Sequence, residues 1–162
     1  MKYRRLQPAE LADLEQEFVR FLSTSQITVD EWQKLKKEKP EQVDELIEVF
    51  SDLVFDRILK GIEYLEFKSQ TDLKTFRCEA NKIHLLGLTI QGESAIDFTR
   101  NDSPEEMVQQ LKSSGAQLKM YQGEKGYKPN REEELFRMLE GGCLISKDGA
   151  MYKTLESLKQ GS

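Results

Sequence analysis

The spacing of apolar residues first changes at about residue 61, and this change limits the folds that the chain can adopt. Before that point apolar residues recur every three or four positions, which is the spacing of amphipathic helices. After it they tend to alternate with polar residues, which is typical of strands that bury one face. Helices followed by strands predict an α+β protein rather than a helical bundle or an all-β sandwich.

Three helices are predicted in the first part of the chain. The first covers residues 8–22, and Pro8 suits its first helical position. The second begins after the capping residue Thr28 and ends before Pro40. The third runs from Pro40 to about Lys60 and is the most apolar segment of the chain.

The second part of the chain predicts a sheet and three further helices. Four strands joined by short, turn-rich connections indicate an antiparallel meander, and two more strands are reached through helices. The predicted strands are 62–67, 73–78, 83–90, 95–99, 117–121 and 143–145, and the helices follow Ser103, Asn130 and Gly149. Residues 122–129 are predicted to form a polar loop.

The expected architecture is α+β, with an N-terminal three-helix segment packed on a mixed, largely antiparallel sheet that carries three further helices. The helical segment covers residues 1–61 and the α+β segment covers residues 62–162. Three short helices bury little apolar surface by themselves. We therefore expect one compact domain overall.

Composition excludes several classes of protein. Charged residues make up 33% of the chain, but the net charge is −5 and neither part is basic, which argues against a nucleic-acid partner. The small basic cluster of Lys2, Arg4 and Arg5 is the remaining exception. The sequence has no apolar stretch long enough for a membrane span and no signal-peptide pattern. We therefore predict a cytoplasmic protein without a membrane partner.

Histidine and cysteine limit the chemistry further. His84 is the only histidine, which excludes zinc sites that need several histidines. Cys78 and Cys143 lack a C-x-x-C spacing and are expected to be reduced. A nucleophilic pair of a cysteine with His84 remains an alternative, although free cysteines are more often simply buried. No cofactor or metal is predicted.

The loop after the last predicted strand is a candidate ligand site. It precedes a helix, and backbone N–H groups at such a position can bind an anion. A turn with a helix cap is the commoner role, and the glycine patterns of phosphate and dinucleotide sites are absent. The candidate ligand-binding residues are His84, Cys143, Ser146, Lys147 and Asp148.

Four carboxylates recur every fourth residue along the third helix and form an acidic stripe: Asp44, Glu48, Asp52 and Asp56. Like charges at this spacing repel one another unless a cation meets them. A metal site that adds Asp13 or Glu17 is one alternative, and a solvated face is the plainest. A protein partner with a basic surface is the more specific interpretation, with Phe55 and Leu59 as apolar anchors beside the acids.

Four stretches carry a resemblance to known sequences: MKYRRL at residues 1–6, FSDLVF at 50–55, YLE at 64–66 and LISKDGA at 144–150. In these stretches the chain resembles a family of small uncharacterised bacterial proteins of unknown function. The resemblance spans nearly the whole chain. It implies no activity, cofactor or catalytic residue.

Two functions remain open from the sequence. The first is a cytoplasmic protein-interaction or accessory protein that binds through the acidic stripe. A homo-oligomer is a separate alternative. The alternative is a small-molecule-binding protein or a small enzyme with a site near Cys143 and the 146–149 loop. The missing catalytic spacings favour the first.

Overall fold

The computed structural model describes residues 1–160, and the chain divides into two compact units. The helical unit is Met1–Lys60, and the α+β unit begins at Gly61. Over the described residues the chain forms seven helices and a five-stranded antiparallel sheet, and helices precede the sheet. The predicted α+β class is therefore confirmed. That both segments share one compact domain stays a prediction.

The helical unit contains four helices, all of them within the described residues: α1 (Pro8–Asp13), α2 (Glu15–Thr24), α3 (Val29–Glu38) and α4 (Pro40–Lys60). The helix predicted over 8–22 is interrupted at Leu14, where the backbone leaves helical geometry (φ −107°, ψ 23°). The predicted cap of α3 is confirmed, because the Glu31 N–H donates to Thr28 Oγ1 at 3.1 Å. Aromatic rings fill the centre of the unit, and the Phe18 ring lies 5.1 Å from Trp32 and 5.0 Å from Phe50.

The α+β unit is built on a sheet with the strand order β4-β3-β2-β1-β5, in which each pairing is antiparallel. Three helices belong to this unit within the described part of the chain. In chain order the elements are β1 (Tyr64–Lys68), β2 (Asp72–Cys78), β3 (Lys82–Gln91), α5 (Pro104–Ser114), β4 (Gln117–Gly126), α6 (Arg131–Glu140), β5 (Leu144–Ser146) and α7 (Ala150–Gln160).

The main core of the α+β unit lies between one face of the sheet and the helices α5 and α7. Leu73, Leu86 and Leu88 contribute from the strands, while Leu111 and Leu155 contribute from the helices. Because side chains alternate along a strand, His84 and Arg77 share this face of the sheet, beyond the end of the apolar cluster. None of the helices in residues 1–160 combines the length and apolar character that a membrane span requires.

Two predictions for the second part of the chain are wrong: the strand at 95–99 and the loop at 122–129. Residues 95–99 are not a strand, because Asp97 accepts hydrogen bonds from Thr99 and makes a turn that directs Ile96 and Phe98 into the core. Strand β4 continues to Gly126 through most of the predicted polar loop, because β3 is long enough to pair with it throughout. An edge strand tolerates polar residues on both faces, so its sequence resembles a loop.

Helix α6 is fixed to the sheet by two charged residues. Arg131 donates hydrogen bonds from its guanidinium to the carbonyl oxygens of Ile62, Cys78 and Glu79. Glu134, which is buried, accepts from the Lys128 N–H at 2.6 Å and from Lys125 Nζ at 2.5 Å. These bonds satisfy backbone groups at the end of the β2–β3 hairpin and after β4.

Glu134→Gln is expected to lower the stability of the protein at neutral pH more than at acidic pH. Burial opposes ionisation of Glu134, but the Lys125 ammonium and the Lys128 N–H outweigh it, so the pKa lies below its usual value of 4.5. The stabilisation is therefore complete above the unfolded-state pKa and is lost as the pH falls through the folded-state pKa. Urea unfolding of both proteins from pH 7 to pH 3 measures the difference. A constant difference would contradict the ionised role of Glu134.

Candidate functional site

The acidic stripe of α4 is met by the basic N-terminal segment of the same chain. Asp52 accepts hydrogen bonds from the backbone N–H groups of Lys2 and Tyr3, at 2.9 and 3.3 Å. Asp56 accepts from the Tyr3 hydroxyl at 2.5 Å and from Lys2 Nζ at 3.2 Å. These contacts explain much of the stripe without an external partner.

The other two members of the stripe, Asp44 and Glu48, differ in their surroundings. Asp44 forms an ion pair with Arg5 at 2.9 Å, so the N-terminal segment contacts the helix along most of its length. The Tyr3 hydroxyl, together with Lys2, lowers the pKa of Asp56. Glu48 is half-buried and forms no ion pair with any residue from 1 to 160. A basic partner was inferred from the stripe, and residues 2–5 supply that charge within the chain.

Phe55 and Leu59 are both buried, with exposed fractions of 8% and 0%. The Phe55 ring packs against the Tyr3 ring at 6.0 Å, and the Arg4 guanidinium lies 4.9 Å from its centroid. An anchor for a partner must be accessible in the free protein. Both residues are therefore buried in this structure, and their role as partner anchors stays a prediction.

Ser51→Ala is expected to destabilise the protein by about 1 to 3 kcal/mol, because it leaves a buried backbone donor unpaired. The Ser51 hydroxyl accepts from the Leu6 N–H at 2.9 Å and donates to the Ile47 carbonyl at 2.7 Å. Ser23→Ala is the matched control, since the Ser23 hydroxyl bonds only to its own helix and is exposed. Urea unfolding measures both changes. Equal effects of the two substitutions would contradict the role of Ser51 in fixing the N-terminal segment.

The two thiols are not activated as nucleophiles. Burial raises the pKa of Cys78 to about 12, and the neighbouring Arg131 only partly opposes it. Burial also raises the pKa of Cys143, which is half-buried between α6 and β5. Both thiols are therefore protonated near neutral pH, whereas a nucleophilic cysteine needs its thiolate.

The 146–149 loop uses its polar atoms to begin α7. The Ser146 hydroxyl accepts from the Gly149 N–H at 3.2 Å, and Asp148 Oδ1 accepts from the Ala150 N–H at 3.1 Å. Lys147 is exposed. Neither these residues nor Cys143 lines the cleft that contains His84. The structure thus separates His84 from the other four candidate ligand-binding residues.

His84 lines a cleft of about 520 Å³ that the sequence did not reveal. Arg77 stands directly opposite His84 in the β2–β3 register. Glu79 bridges them, because its Oε1 accepts from Arg77 Nη2 at 2.9 Å and its Oε2 lies 3.2 Å from His84 Nε2. Glu124 Oε2 lies 3.4 Å from His84 Nδ1. Charged side chains of both signs therefore surround the single imidazole.

The far wall of the cleft is formed by α7. The Arg77 guanidinium lies 5.8 Å from the centroid of the Tyr152 ring, and Glu156 and Lys159 follow at one-turn spacing. Burial raises the pKa of Tyr152, although Arg77 opposes the effect. The adjacent His84 ring, with Arg77 and Lys82 nearby, lowers the pKa of Glu79. The cleft is suited to a polar ligand.

The cluster around His84 does not form a metal centre. Glu79 and Glu124 lie against opposite nitrogens of the ring, so an ion on one nitrogen is out of reach of the second carboxylate. No group of three His, Cys, Asp or Glu side chains within residues 1–160 is arranged to hold a metal ion.

The helical unit has a second concave feature, an apolar groove of about 640 Å³ bounded by α1, α2 and α3. Its floor includes Trp32 and Phe18, while Val19 and Val29 stand at its rim with exposed fractions of 44% and 62%. Sequence periodicity assigns these residues to helix faces, but it cannot distinguish a filled core from an open groove. The lining is predominantly apolar: Pro8, Leu11, Ala12, Phe18, Val19, Leu22, Ile27, Val29, Trp32 and Ile47.

The fold and its concave surfaces define an α+β protein with an antiparallel sheet, an apolar groove among its helices and a polar cleft on its sheet. The chain belongs to a family of unknown function, DUF6495, whose model matches residues 1–160. The family resemblance predicted from the sequence is thereby confirmed. Comparison with curated proteins and with solved structures gave no match.

Proposed function

We propose that the protein is a cytoplasmic interaction protein that binds an amphipathic helix of a partner protein in the apolar groove of its helical unit. The observation that carries this proposal is the open groove itself, with two exposed valines at its rim and a tryptophan in its floor. Exposed apolar surface that lines a concave site is typical of binding grooves. Helices bind such grooves through apolar residues at positions i, i+3, i+4 and i+7.

Charge at the groove favours a partner helix with an acidic flank. Two basic residues, Arg5 and Lys36, line the groove with one acid, Glu15, and Arg5 is already paired with Asp44. Lys36 is exposed and its Nζ lies 5.6 Å from the Trp32 ring centroid. An acidic residue beside the apolar face of the partner would be attracted to this ammonium, and it would set the orientation of the helix.

The function proposed here uses a different surface from the acidic stripe. The stripe contacts the N-terminal segment, and its two apolar neighbours are buried. A small enzyme near Cys143 has less support, because both thiols are held protonated and the 146–149 loop is occupied in beginning α7. A protein-interaction role therefore remains the first hypothesis, but through the apolar groove instead of the acidic stripe.

Site-specific photo-cross-linking in the source cells tests the proposal. A benzophenone amino acid at position 29 is expected to form a covalent adduct with one partner, whose attached peptide has an amphipathic pattern and an acidic residue. The matched control is position 49, because Val49 is exposed to 53% on α4 and does not line the groove.

Three outcomes would contradict the proposal. They are no adduct from position 29, equal adducts from positions 29 and 49, and an attached peptide without an amphipathic pattern. An adduct with a second copy of this chain would contradict a separate partner protein and would indicate a homo-oligomer.

A further inference from the structure

The cleft of the α+β unit contains an unusual concentration of unsatisfied polar groups. Within residues 1–160, the buried side-chain nitrogens or oxygens without a hydrogen bond are Arg77 Nε and His84 Nε2. The His84 nitrogen lies 3.2 Å from Glu79, but not in hydrogen-bonding geometry. Buried donors are satisfied in nearly all folded proteins, so two exceptions at one place require an explanation.

Both orphaned atoms are nitrogens that donate when their side chains are charged, and both sit on the same face of neighbouring strands. An acceptor that enters the cleft would satisfy them. Both atoms are buried, so Arg77 or His84 must turn toward the cleft before an incoming group can reach them. Lys159 at the wall of the cleft adds an ammonium group, which donates to the Gln122 side chain. This end of the cleft is suited to a carboxylate or another small anion.

The acidic side chains of the cleft favour a positively charged group on the ligand. Glu156 is half-buried and lines the cleft, and its carboxylate forms no hydrogen bond or ion pair with any other residue between 1 and 160. Glu124 also lines the cleft, and Glu79 lies beside it. Three carboxylates repel a ligand of high negative charge, such as a polyphosphate. An ammonium group on the ligand would instead pair with Glu156.

From these contacts we propose that the cleft binds a small zwitterion, namely a free α-amino acid or a short peptide. The ligand carboxylate contacts Arg77 and His84, and its ammonium contacts Glu156. The volume of about 520 Å³ lies in the range of small-molecule sites and leaves room for a side chain over Tyr152. This site is separate from the apolar groove of the helical unit, so either proposal can fail without the other.

The single histidine makes the test direct, because selective ¹⁵N labelling of histidine reports on His84 alone. The probes are glycine, glutamate, lysine, dialanine, acetate, ethylamine and inorganic phosphate, each titrated to about 10 mM, a concentration that detects weak binding. At least one amino acid or dialanine is expected to shift the ring resonances with saturation. Acetate, ethylamine and phosphate are expected to bind at least about tenfold more weakly, because each lacks one of the two charges.

Substitutions locate the two ends of the ligand. Arg77→Gln and Glu156→Gln are each expected to weaken binding by roughly tenfold or more, since each removes one charge-assisted contact. Lys119→Gln is the matched control, because Lys119 is an exposed charge that does not line the cleft. Unchanged thermal unfolding confirms that each variant is folded. If a variant fails to fold, the wild-type titration decides.

Several outcomes would overturn the proposal. No shift of His84 with any amino acid or with dialanine would mean that the orphaned donors are satisfied by water. A stronger response to phosphate than to any zwitterion would indicate a simple anion site. Unchanged affinity after Glu156→Gln would remove the ammonium contact and with it the assignment of a zwitterion.

Discussion

Gly149→Ala is expected to destabilise the protein by about 2 to 5 kcal/mol, from backbone strain together with a steric clash. Gly149 has a φ of +66°, a conformation that residues with a Cβ rarely adopt. A Cβ at this position would lie 2.5 Å from ring atoms of Tyr64. Because Gly149 directly precedes α7, the loss should also disturb the wall of the cleft. Urea unfolding and the heteronuclear NMR spectrum measure the two effects.

Gly115→Ala separates strain from the clash. Gly115 has nearly the same φ, +65°, but a Cβ there has nothing within 4 Å. Only strain remains, so the expected loss is about 1 to 2 kcal/mol. If both substitutions cost the same, the close packing of Gly149 on Tyr64 does not contribute to stability.

Arg131→Met is expected to destabilise the protein by about 3 to 5 kcal/mol, because it removes a charge whose donors are shared among several carbonyl groups. The Arg131 Nε donates to the Glu79 carbonyl at 3.1 Å, and its Nη2 donates to the Ile62 and Cys78 carbonyls. Methionine preserves the length of the side chain but offers no donor. Urea unfolding measures the loss, and hydrogen exchange at residues 78–83 is expected to increase.

Arg100→Met serves as the control for Arg131, since Arg100 is an exposed residue of the same unit. Surface substitutions of this kind change stability by about 0.5 kcal/mol or less. An equal loss in the two variants would contradict the role of Arg131 in joining α6 to the β2–β3 hairpin.

The sequence predicted correctly the elements that are determined by neighbouring residues, such as helix α4 and the helix caps. Helix α4 was predicted between Pro40 and Lys60 because its apolar spacing, its proline start and the following glycine all agree. The caps at Ser103 and Asn130 were also predicted, and both side chains accept the expected N–H bonds. The strand predicted at 95–99 failed because a turn at Asp97 produces the same alternation of buried residues.

The contacts of the acidic stripe were not predictable from spacing. The sequence indicated that the stripe needs positive charge. Lys2 and Arg5 of the same chain supply that charge. Lys2 precedes Asp56 by 54 positions and Arg5 precedes Asp44 by 39, so no local pattern connects them. The burial of Phe55 follows from the same N-terminal segment, which covers it with Tyr3 and Arg4.

Only the strand side of the polar cleft could have been predicted from the sequence. A two-residue turn at Ala80 and Asn81 places Arg77 opposite His84, whereas a shift of one residue would move His84 to the other face. The connection was predicted as Ala80-Asn81-Lys82, one residue longer than the turn that forms. Tyr152 and Glu156 reach the cleft because α7 crosses that face, and a helix crossing depends on packing that no local pattern records.

The fluorescence of Trp32 tests the proposed function most directly, because Trp32 is the only tryptophan and lines the groove. Trp32 is only 8% exposed in the free protein, so a synthetic peptide with the sequence cross-linked at position 29 is expected to change the intensity of its emission, with saturation. Val29→Asp should abolish this change, and Val49→Asp should preserve it. An emission spectrum that does not respond to the peptide, or that responds equally in both variants, would contradict a helix-binding groove.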